Sequence, residues 1–131
     1  MLDVFKAYAT DTTAEVEGNW QDFNGAKLLI ARANNRKYNR EVVARYEKYK
    51  EAFDKGGDVA EKAGEDFTVE LMAETILLGW QDVAYMGAPI EYSKENARKL
   101  LAIRDFRAEV AKFADSIEYF RLKVEDEQVK N

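Results

Sequence analysis

The chain has 131 residues, of which 47% are hydrophobic and 34% are charged, and its formal net charge is −5 at pH 7. This length and composition are typical of one soluble domain with its own hydrophobic core. The sequence contains neither cysteine nor histidine, which excludes disulfides and thiolate chemistry and removes the usual general base and the commonest metal ligand. We therefore expect no catalytic residues, no metal site and no cofactor, and hence a protein that is not an enzyme.

Membranes and nucleic acids are also unfavourable partners for this sequence. No apolar run approaches the roughly 20 residues of a membrane span, and the opening MLDVFKAYATD lacks the apolar region of a signal peptide. The basic stretch NNRKYNR around Tyr38 superficially suits RNA, but it is short and the chain is acidic overall, so a solvated loop is the preferred interpretation. We expect a cytosolic protein.

The first structural signal is a β-hairpin over about residues 15–33. Asn24-Gly25 predicts a two-residue type I′ turn, because both residues tolerate the positive φ that this turn requires. The register then places Trp20 opposite Leu29 on the face expected to meet the helices, with Trp20 as a core anchor or, alternatively, a partner-binding residue. Opposite charges support this register in two further pairs, Asp22 with Lys27 and Glu17 with Arg32.

Apolar spacing predicts about four helices after the hairpin. The first is capped by Asn39, and the polar, glycine-containing stretch that follows it predicts an internal linker over residues 54–65. The second is apolar around much of its circumference, which indicates burial, with Trp80 as a core anchor. Gly79 indicates either close approach by a neighbour or an early end of this helix. The predicted helices cover about residues 39–55, 66–84, 93–103 and 105–126.

The last predicted helix carries an apolar residue at regular spacings of 4, 3, 4, 3 and 4 from Phe106 to Val124. This stripe favours packing against another helix. One interpretation is that it packs on the protein's own core. The other is that its C-terminal half meets a partner or a second copy, because little chain remains to cover it. The interface residues under this second interpretation are Phe113, Ile117, Phe120 and Val124.

These patterns together predict a mainly α fold, with the N-terminal hairpin packed on about four helices. Residues 1–131 form a single domain in this interpretation, and residues 125–131 form a solvated tail. Because the motifs that carry chemistry are missing from the sequence, a protein-binding module is favoured over an enzyme.

The order of several segments resembles the phage tail assembly chaperones. ATDTTAEVEGNWQDF resembles their acidic opening and first strand, and AKLLIARANNRKYN resembles their second strand. LLGWQDVAYMGAPIEYSKENARKLL is similar to an apolar helix ending at tryptophan, a Gly-x-Pro connection and a short capped helix, and DFRAEVAKFADSIEYF is similar to their final helix. The resemblance covers nearly the whole chain, although the DFNG turn and residues 54–66 match only loosely.

This resemblance implies a chaperone of the tape measure protein that acts in the host cytoplasm and is absent from the mature virion. It would keep that long, helical protein soluble until tail tube subunits polymerise around it. It also implies a fraction of product with a frameshifted C-terminal extension that recruits the tail tube protein, and Val129-Lys130-Asn131 permits a slippery coding sequence. Homo-oligomers are left open. The alternative is a phage structural or connector protein that stays in the virion.

Overall fold

A computed structural model of the chain describes residues 1–123. Within these residues, two short helices precede a hairpin, two long helices follow it, and further strands and two more helices come after them. The elements are α1 (Val4–Tyr8), α2 (Thr12–Glu17), β1 (Asn19–Phe23), β2 (Ala26–Ile30), α3 (Arg36–Lys55), α4 (Gly57–Thr75), β3 (Leu77–Gln81), β4 (Ala84–Tyr85), β5 (Ala88–Pro89), α5 (Lys94–Leu101), α6 (Arg104–Asp115) and a 3₁₀ turn (Ile117–Tyr119).

The predicted hairpin turn and register are confirmed. Asn24 and Gly25 both have positive φ, and β1 pairs with β2 so that Trp20 lies opposite Leu29. The predicted pairing of Glu17 with Arg32 is wrong. Glu17 belongs to α2, and Arg32 instead forms an ion pair with Glu15 at 2.6 Å.

The prediction that the Trp20 face of the hairpin meets the helices is also wrong. Leu28 and Ile30 of β2 are fully buried, whereas the side chain of Trp20 is 48% exposed. Because successive side chains on a strand point to opposite faces, burial of Leu28 and Ile30 places Trp20 and Leu29 on the outer face of the sheet. Phe23 lies on the inner face and makes an edge contact with Phe106 of α6.

The predicted mainly α fold is wrong, because part of the second predicted helix is a strand. β3 pairs antiparallel with β2, which makes a three-stranded sheet in the order β1-β2-β3, and β4 pairs with β5 in a second sheet. The fold is therefore mixed α/β. A short apolar run such as LLGWQ has no decisive periodicity, and here its backbone pairs with β2 rather than continuing the helix. Gly79 lies under Trp20 and Leu29, where a Cβ would stand 3.5 to 3.6 Å from their side chains.

Residues 54–65, predicted as a linker, are mostly helical. Only Gly56 separates the end of α3 at Lys55 from the start of α4, and the positive φ of Gly56 and Gly57 makes the tight reversal. α3 and α4 form an antiparallel helical hairpin. α3 begins three residues earlier than predicted, because Asn35, not Asn39, caps it.

The C-terminal elements differ from prediction at their ends. Ser93 caps α5 through a hydrogen bond from the Asn96 amide, so this helix begins close to the predicted residue 93. α6 ends at Asp115, because Ser116 is extended, so the last predicted helix over 105–126 is too long. Val124, the predicted tail and the Val-Lys-Asn stretch lie outside the described residues.

One hydrophobic core joins these elements. The inner face of the sheet packs against α4, α5 and α6, with Trp80, Leu101 and Val110 among its buried residues. The fold leaves the outer face of the sheet, most of α3 and the first nine residues outside this core.

Candidate partner-binding surfaces

The residues proposed from the last helix stripe do not share an exposed surface. Phe113 is half-buried, with its ring centroid 6.0 Å from that of Phe23, and Ile117 is also half-buried. Phe120 is 1% exposed. Val124 lies beyond residue 123 and is not described.

The N-terminal segment pairs with the segment that carries Phe120, a contact that the sequence did not predict. The Asp11 amide donates to the Phe120 carbonyl at 2.8 Å, and the Leu122 amide donates to the Ala9 carbonyl at 3.0 Å. These two bonds flank a bridge between Thr10 and Arg121. The segment that carries Phe120 is therefore part of the folded body, which removes Phe120 from the candidate interface.

The three predicted core anchors have different environments. Trp80 is buried, and its indole N–H donates to the Ile90 carbonyl at 2.8 Å while its ring meets Tyr92 edge-on. Trp20 is half exposed, and Leu29 is half-buried on the same outer face of the sheet. Trp20 is therefore not a core anchor.

The α3–α4 hairpin presents the longest helical surface outside the core. None of the twenty residues of α3 is buried within the part of the chain that the structure describes. Four rings hold the two helices together: Tyr49 stacks on Phe67 with centroids 4.9 Å apart, and Phe53 lies beside both and stacks on Tyr46. Aromatic contacts of this kind contribute about 0.5 to 1.5 kcal/mol each beyond area burial.

Three large apolar side chains of this hairpin are exposed. Val43 is 78% exposed, and Tyr46 and Val59 are each at least two-fifths exposed. We call these three residues the hairpin surface. Val43 and Tyr46 lie one turn apart on α3, and Val59 lies in the first turn of α4. Single exposed apolar residues are ordinary, but several on one helix pair are a candidate site for binding another helix.

An ion network fixes the two helices near the body of the protein. Arg45 of α3 binds Glu70 of α4 at 2.6 Å and Glu41 at 2.7 Å, and its guanidinium lies 3.7 Å from Glu74. Lys48 also binds Glu70, at 3.2 Å. Two more partners close the network, namely the Tyr49 hydroxyl donating to Glu70 and Lys94 binding Glu74.

This network shifts the pKa values of its members. Partial burial alone would raise the pKa of Glu70, but hydrogen bonds from Tyr49, Lys48 and Arg45 together hold it below its usual value of 4.5. The hydrogen bond from Lys94 lowers the pKa of Glu74. Burial, followed by the bond to Glu70, raises the pKa of Tyr49 to about 12. Glu70 is therefore ionised and Tyr49 neutral at pH 7. In these states the Tyr49 hydroxyl donates to the Glu70 carboxylate and links α3 to α4.

We expect Glu70→Gln to lower the free energy of unfolding by about 1 to 3 kcal/mol at pH 7, because it removes charge-assisted bonds from a mostly buried acceptor. A carboxylate with a depressed folded pKa stabilises the fold above its unfolded pKa, and this contribution is lost as the pH falls through the folded pKa. The difference between wild type and variant should therefore shrink as the pH falls below about 4.5. Urea denaturation at a series of pH values measures it. A difference that stays constant with pH would contradict the ionic role of Glu70.

Residues 1–9 form a second candidate surface, which we call the arm. Its large side chains Leu2, Val4, Phe5 and Tyr8 are 60% to 67% exposed. Asp3 caps α1 by accepting from the Lys6 amide, so Val4, Phe5 and Tyr8 lie on a short helix and Leu2 precedes it. The sequence signal for this surface is the set of apolar residues in MLDVFKAY, a stretch that was interpreted above only as too polar for a signal peptide.

A third candidate is an apolar groove of about 310 Å³ at the turn end of the first hairpin. Leu28 and Leu100 are buried at its base, Phe106 is half-buried, and Ile103 is 48% exposed. Its other lining residues are Phe23, Asn24, Ala26, Asp82, Val83, Ala84 and Tyr85. This groove is small and apolar, so it suits one or two large side chains rather than a polar metabolite.

Other classes of site find no support in the residues described. Within residues 1–123, no helix has both the length and the apolar character needed to cross a membrane. In the same range, histidine, cysteine, aspartate and glutamate do not form a group of three or more able to hold a metal ion.

A family model described as YdaY prophage protein matches residues 33–131. The match covers most of the chain, so the protein belongs to this prophage family and is of phage origin. No curated protein and no solved structure matches the chain. The matched range includes the α3–α4 hairpin and excludes the arm, α2, β1 and β2.

Proposed function

We propose that this prophage protein is a tail assembly chaperone that binds the tape measure protein and keeps it soluble in the host cytoplasm until the tail tube polymerises. The observation that carries the proposal is the hairpin surface on α3 and α4, a helix pair within the matched range of the family. The resemblance of the chain's segments to tail assembly chaperones gives the identity of the partner.

The proposed contact joins an apolar helical stripe of the tape measure protein to the hairpin surface. A tape measure chain exposes apolar helical stripes before assembly, and such a stripe is recognised by apolar side chains spaced along another helix pair. Val43 and Tyr46 are three residues apart on α3, so they share one side of the helix, and Val59 is on the adjoining α4. The Arg45–Glu70 network keeps the two helices in register while the surface is occupied.

The small size of the hairpin surface suits reversible binding. Three partly exposed side chains supply far less than the roughly 1,200 Å² of a stable interface. A single contact is therefore weak, and many copies along one long chain would hold it through avidity. Weak individual contacts also allow tail tube subunits to displace the chaperone, whether or not a frameshifted C-terminal extension recruits those subunits.

The test is co-expression with the tape measure protein of the same prophage. We expect the double variant Val43→Lys with Val59→Lys to reduce the soluble fraction of the tape measure protein several-fold, because two charges would have to be buried against an apolar stripe. Both positions are exposed, so the variant should fold with a free energy of unfolding within about 0.5 kcal/mol of wild type. Soluble yield after centrifugation and co-purification are the readouts.

A matched control adds the same two charges elsewhere. Ala44 and Ala108 are exposed, and Ala44 lies about 160° around α3 from Tyr46. We expect Ala44→Lys with Ala108→Lys to solubilise the partner as wild type does. Equal loss in both variants would indicate a general charge effect and contradict the hairpin surface. Detection of the protein in purified virions would favour the alternative, a structural or connector protein.

A further inference from the structure

α3 is a basic helix in an acidic protein. Its twenty residues include seven Lys and Arg and four Asp and Glu, a formal charge of +3, whereas the whole chain carries −5. Arg45 and Lys48 bind Glu70 of α4, so part of this positive charge is neutralised within the α3–α4 hairpin. The charge that is not neutralised there lies on the solvent side of the helix.

Two arginines at the start of α3 carry much of this charge. Arg36 and Arg40 are both exposed, and within residues 1–123 neither forms an ion pair or a side-chain hydrogen bond. We call these two residues the arginine pair. Arg36, Arg40 and Val43 follow one another at spacings of four and three residues, so they lie on one side of α3. The arginine pair therefore extends the side of the helix that presents Val43 of the hairpin surface.

The other end of the helix pair carries the opposite charge. Asp54 near the end of α3 and Asp58 at the start of α4 are exposed, and neither is ion-paired in the part of the chain that the structure describes. Asp58 directly precedes Val59 of the hairpin surface. Arg36 and Asp54 are separated by about 27 Å along α3. The hairpin surface thus lies between a positive end and a negative end.

A protein helix fits this arrangement better than a nucleic acid. Tyr38, the aromatic residue of the basic stretch NNRKYNR, packs against the core, so its ring is not available to stack on a base. Val43 and Tyr46 are exposed apolar residues next to the arginine pair, and a phosphate backbone offers them no apolar counterpart. A helix with acidic residues beside an apolar stripe complements both features.

We propose that the arginine pair selects acidic residues of the partner helix, so that a tape measure segment on the hairpin surface has carboxylates at one end of its apolar stripe and lies in one direction along α3. This inference rests on the proposed function and names the chemistry of the segment that is bound. Each arginine presents a fork of donors that can bind a carboxylate through two hydrogen bonds. In the reverse direction the same carboxylates would face Asp54 and Asp58.

Exposed charges of this kind act mainly on the rate of association and against wrong partners, and salt screens them. We expect Arg36→Glu with Arg40→Glu to weaken the binding of a tape measure segment about tenfold at about 0.1 M salt, because two attractions become repulsions. The difference should be small at about 1 M salt, where the screening length falls to roughly 3 Å.

The experiment uses overlapping synthetic peptides that cover the tape measure protein of the same prophage. Each peptide is titrated by fluorescence anisotropy against the full-length wild type and against Arg36→Glu with Arg40→Glu. Both positions are exposed and unpaired, so this variant should unfold at the same urea concentration as wild type. The matched control, Arg104→Glu with Lys112→Glu, makes the same change of charge at exposed positions of α6 and should bind the peptides as wild type does.

Reversing charges in the peptide separates charge selection from a general loss of binding. Peptides that bind wild type should carry Asp or Glu within two turns of one end of their apolar stripe. Replacing those residues with Lys should weaken binding to wild type about tenfold and restore binding to Arg36→Glu with Arg40→Glu, because the attraction is formed again with the signs exchanged.

The outcomes distinguish this inference from the proposed function. If wild type and the arginine variant bind the peptides equally, or if the reversed peptides gain no affinity for the variant, charge selection is overturned and the chaperone proposal is unaffected. If no peptide binds wild type, charge selection is overturned, and the co-expression test alone decides the chaperone proposal. Binding of a labelled poly(U) RNA at about 0.15 M salt that is lost in the arginine variant would identify a nucleic acid as the partner and overturn the acidic helix.

Discussion

Phe120→Ala is expected to lower the free energy of unfolding by about 3 to 5 kcal/mol, the range for removing a fully buried phenylalanine. Phe120 is 1% exposed and is among the largest fully buried side chains of the described residues. Its loss would leave a cavity beneath the contact between the N-terminal segment and residues 120–122. Urea denaturation followed by far-UV circular dichroism measures the change.

Leu122→Ala is the matched control for this prediction. Leu122 lies two residues away in the same segment but is 39% exposed, so its truncation should cost less than about 1 kcal/mol. If Phe120→Ala is as mild as Leu122→Ala, Phe120 is at the surface and the interface proposed from the last helix regains its support.

Local sequence signals were sufficient for the first hairpin. The Asn24-Gly25 turn fixes the loop at two residues, and the Asp22–Lys27 pair lies directly across the strands as expected. Both signals act between residues close in the chain, so no knowledge of the rest of the fold was needed. The choice of face was different, because it depends on which side the distant helices cover.

The strand β3 could not be predicted from its own residues. Leu77–Gln81 is short, apolar and uninterrupted, which fits a buried helix as well as a strand. The backbone partner that decides between them is β2, about fifty residues earlier in the chain. Of the two interpretations of Gly79, the early end of the helix is confirmed, because α4 ends at Thr75 and Gly79 lies in β3. A Cβ at this position would be at ordinary contact distance from Leu29 and Trp20.

Phe120 was assigned to the candidate interface for a similar reason. Apolar spacing continues regularly through Phe120, although α6 ends at Asp115. The pattern records which side chains are buried, and burial continues after the helix because the chain turns back under the N-terminal segment. Pairing between residues 9–11 and 120–122 joins opposite ends of the described chain, so it has no local signature.

The cap of α3 combines a local contact with a distant one. Asn35 is 5% exposed, and its side-chain oxygen accepts from the Tyr38 amide at 3.0 Å. Its side-chain nitrogen donates to the Arg32 carbonyl at 2.8 Å and to the Thr75 carbonyl at 3.3 Å. One side chain therefore caps α3 and also ties it to the end of α4, where β3 begins.

We expect Asn35→Ala to lower the free energy of unfolding by about 2 to 4 kcal/mol, because it removes a helix cap worth about 1 kcal/mol and leaves a buried carbonyl without its donor. Asn39→Ala is the control, since Asn39 is exposed and its side chain donates to the carbonyl of the nearby Asn34 at 3.1 Å. It should change stability by less than about 0.5 kcal/mol. Denaturant titrations of both variants give the comparison. A loss in Asn39→Ala equal to or larger than that in Asn35→Ala would contradict Asn35 as the cap of α3 and would mean that its bond to the Thr75 carbonyl contributes little to stability.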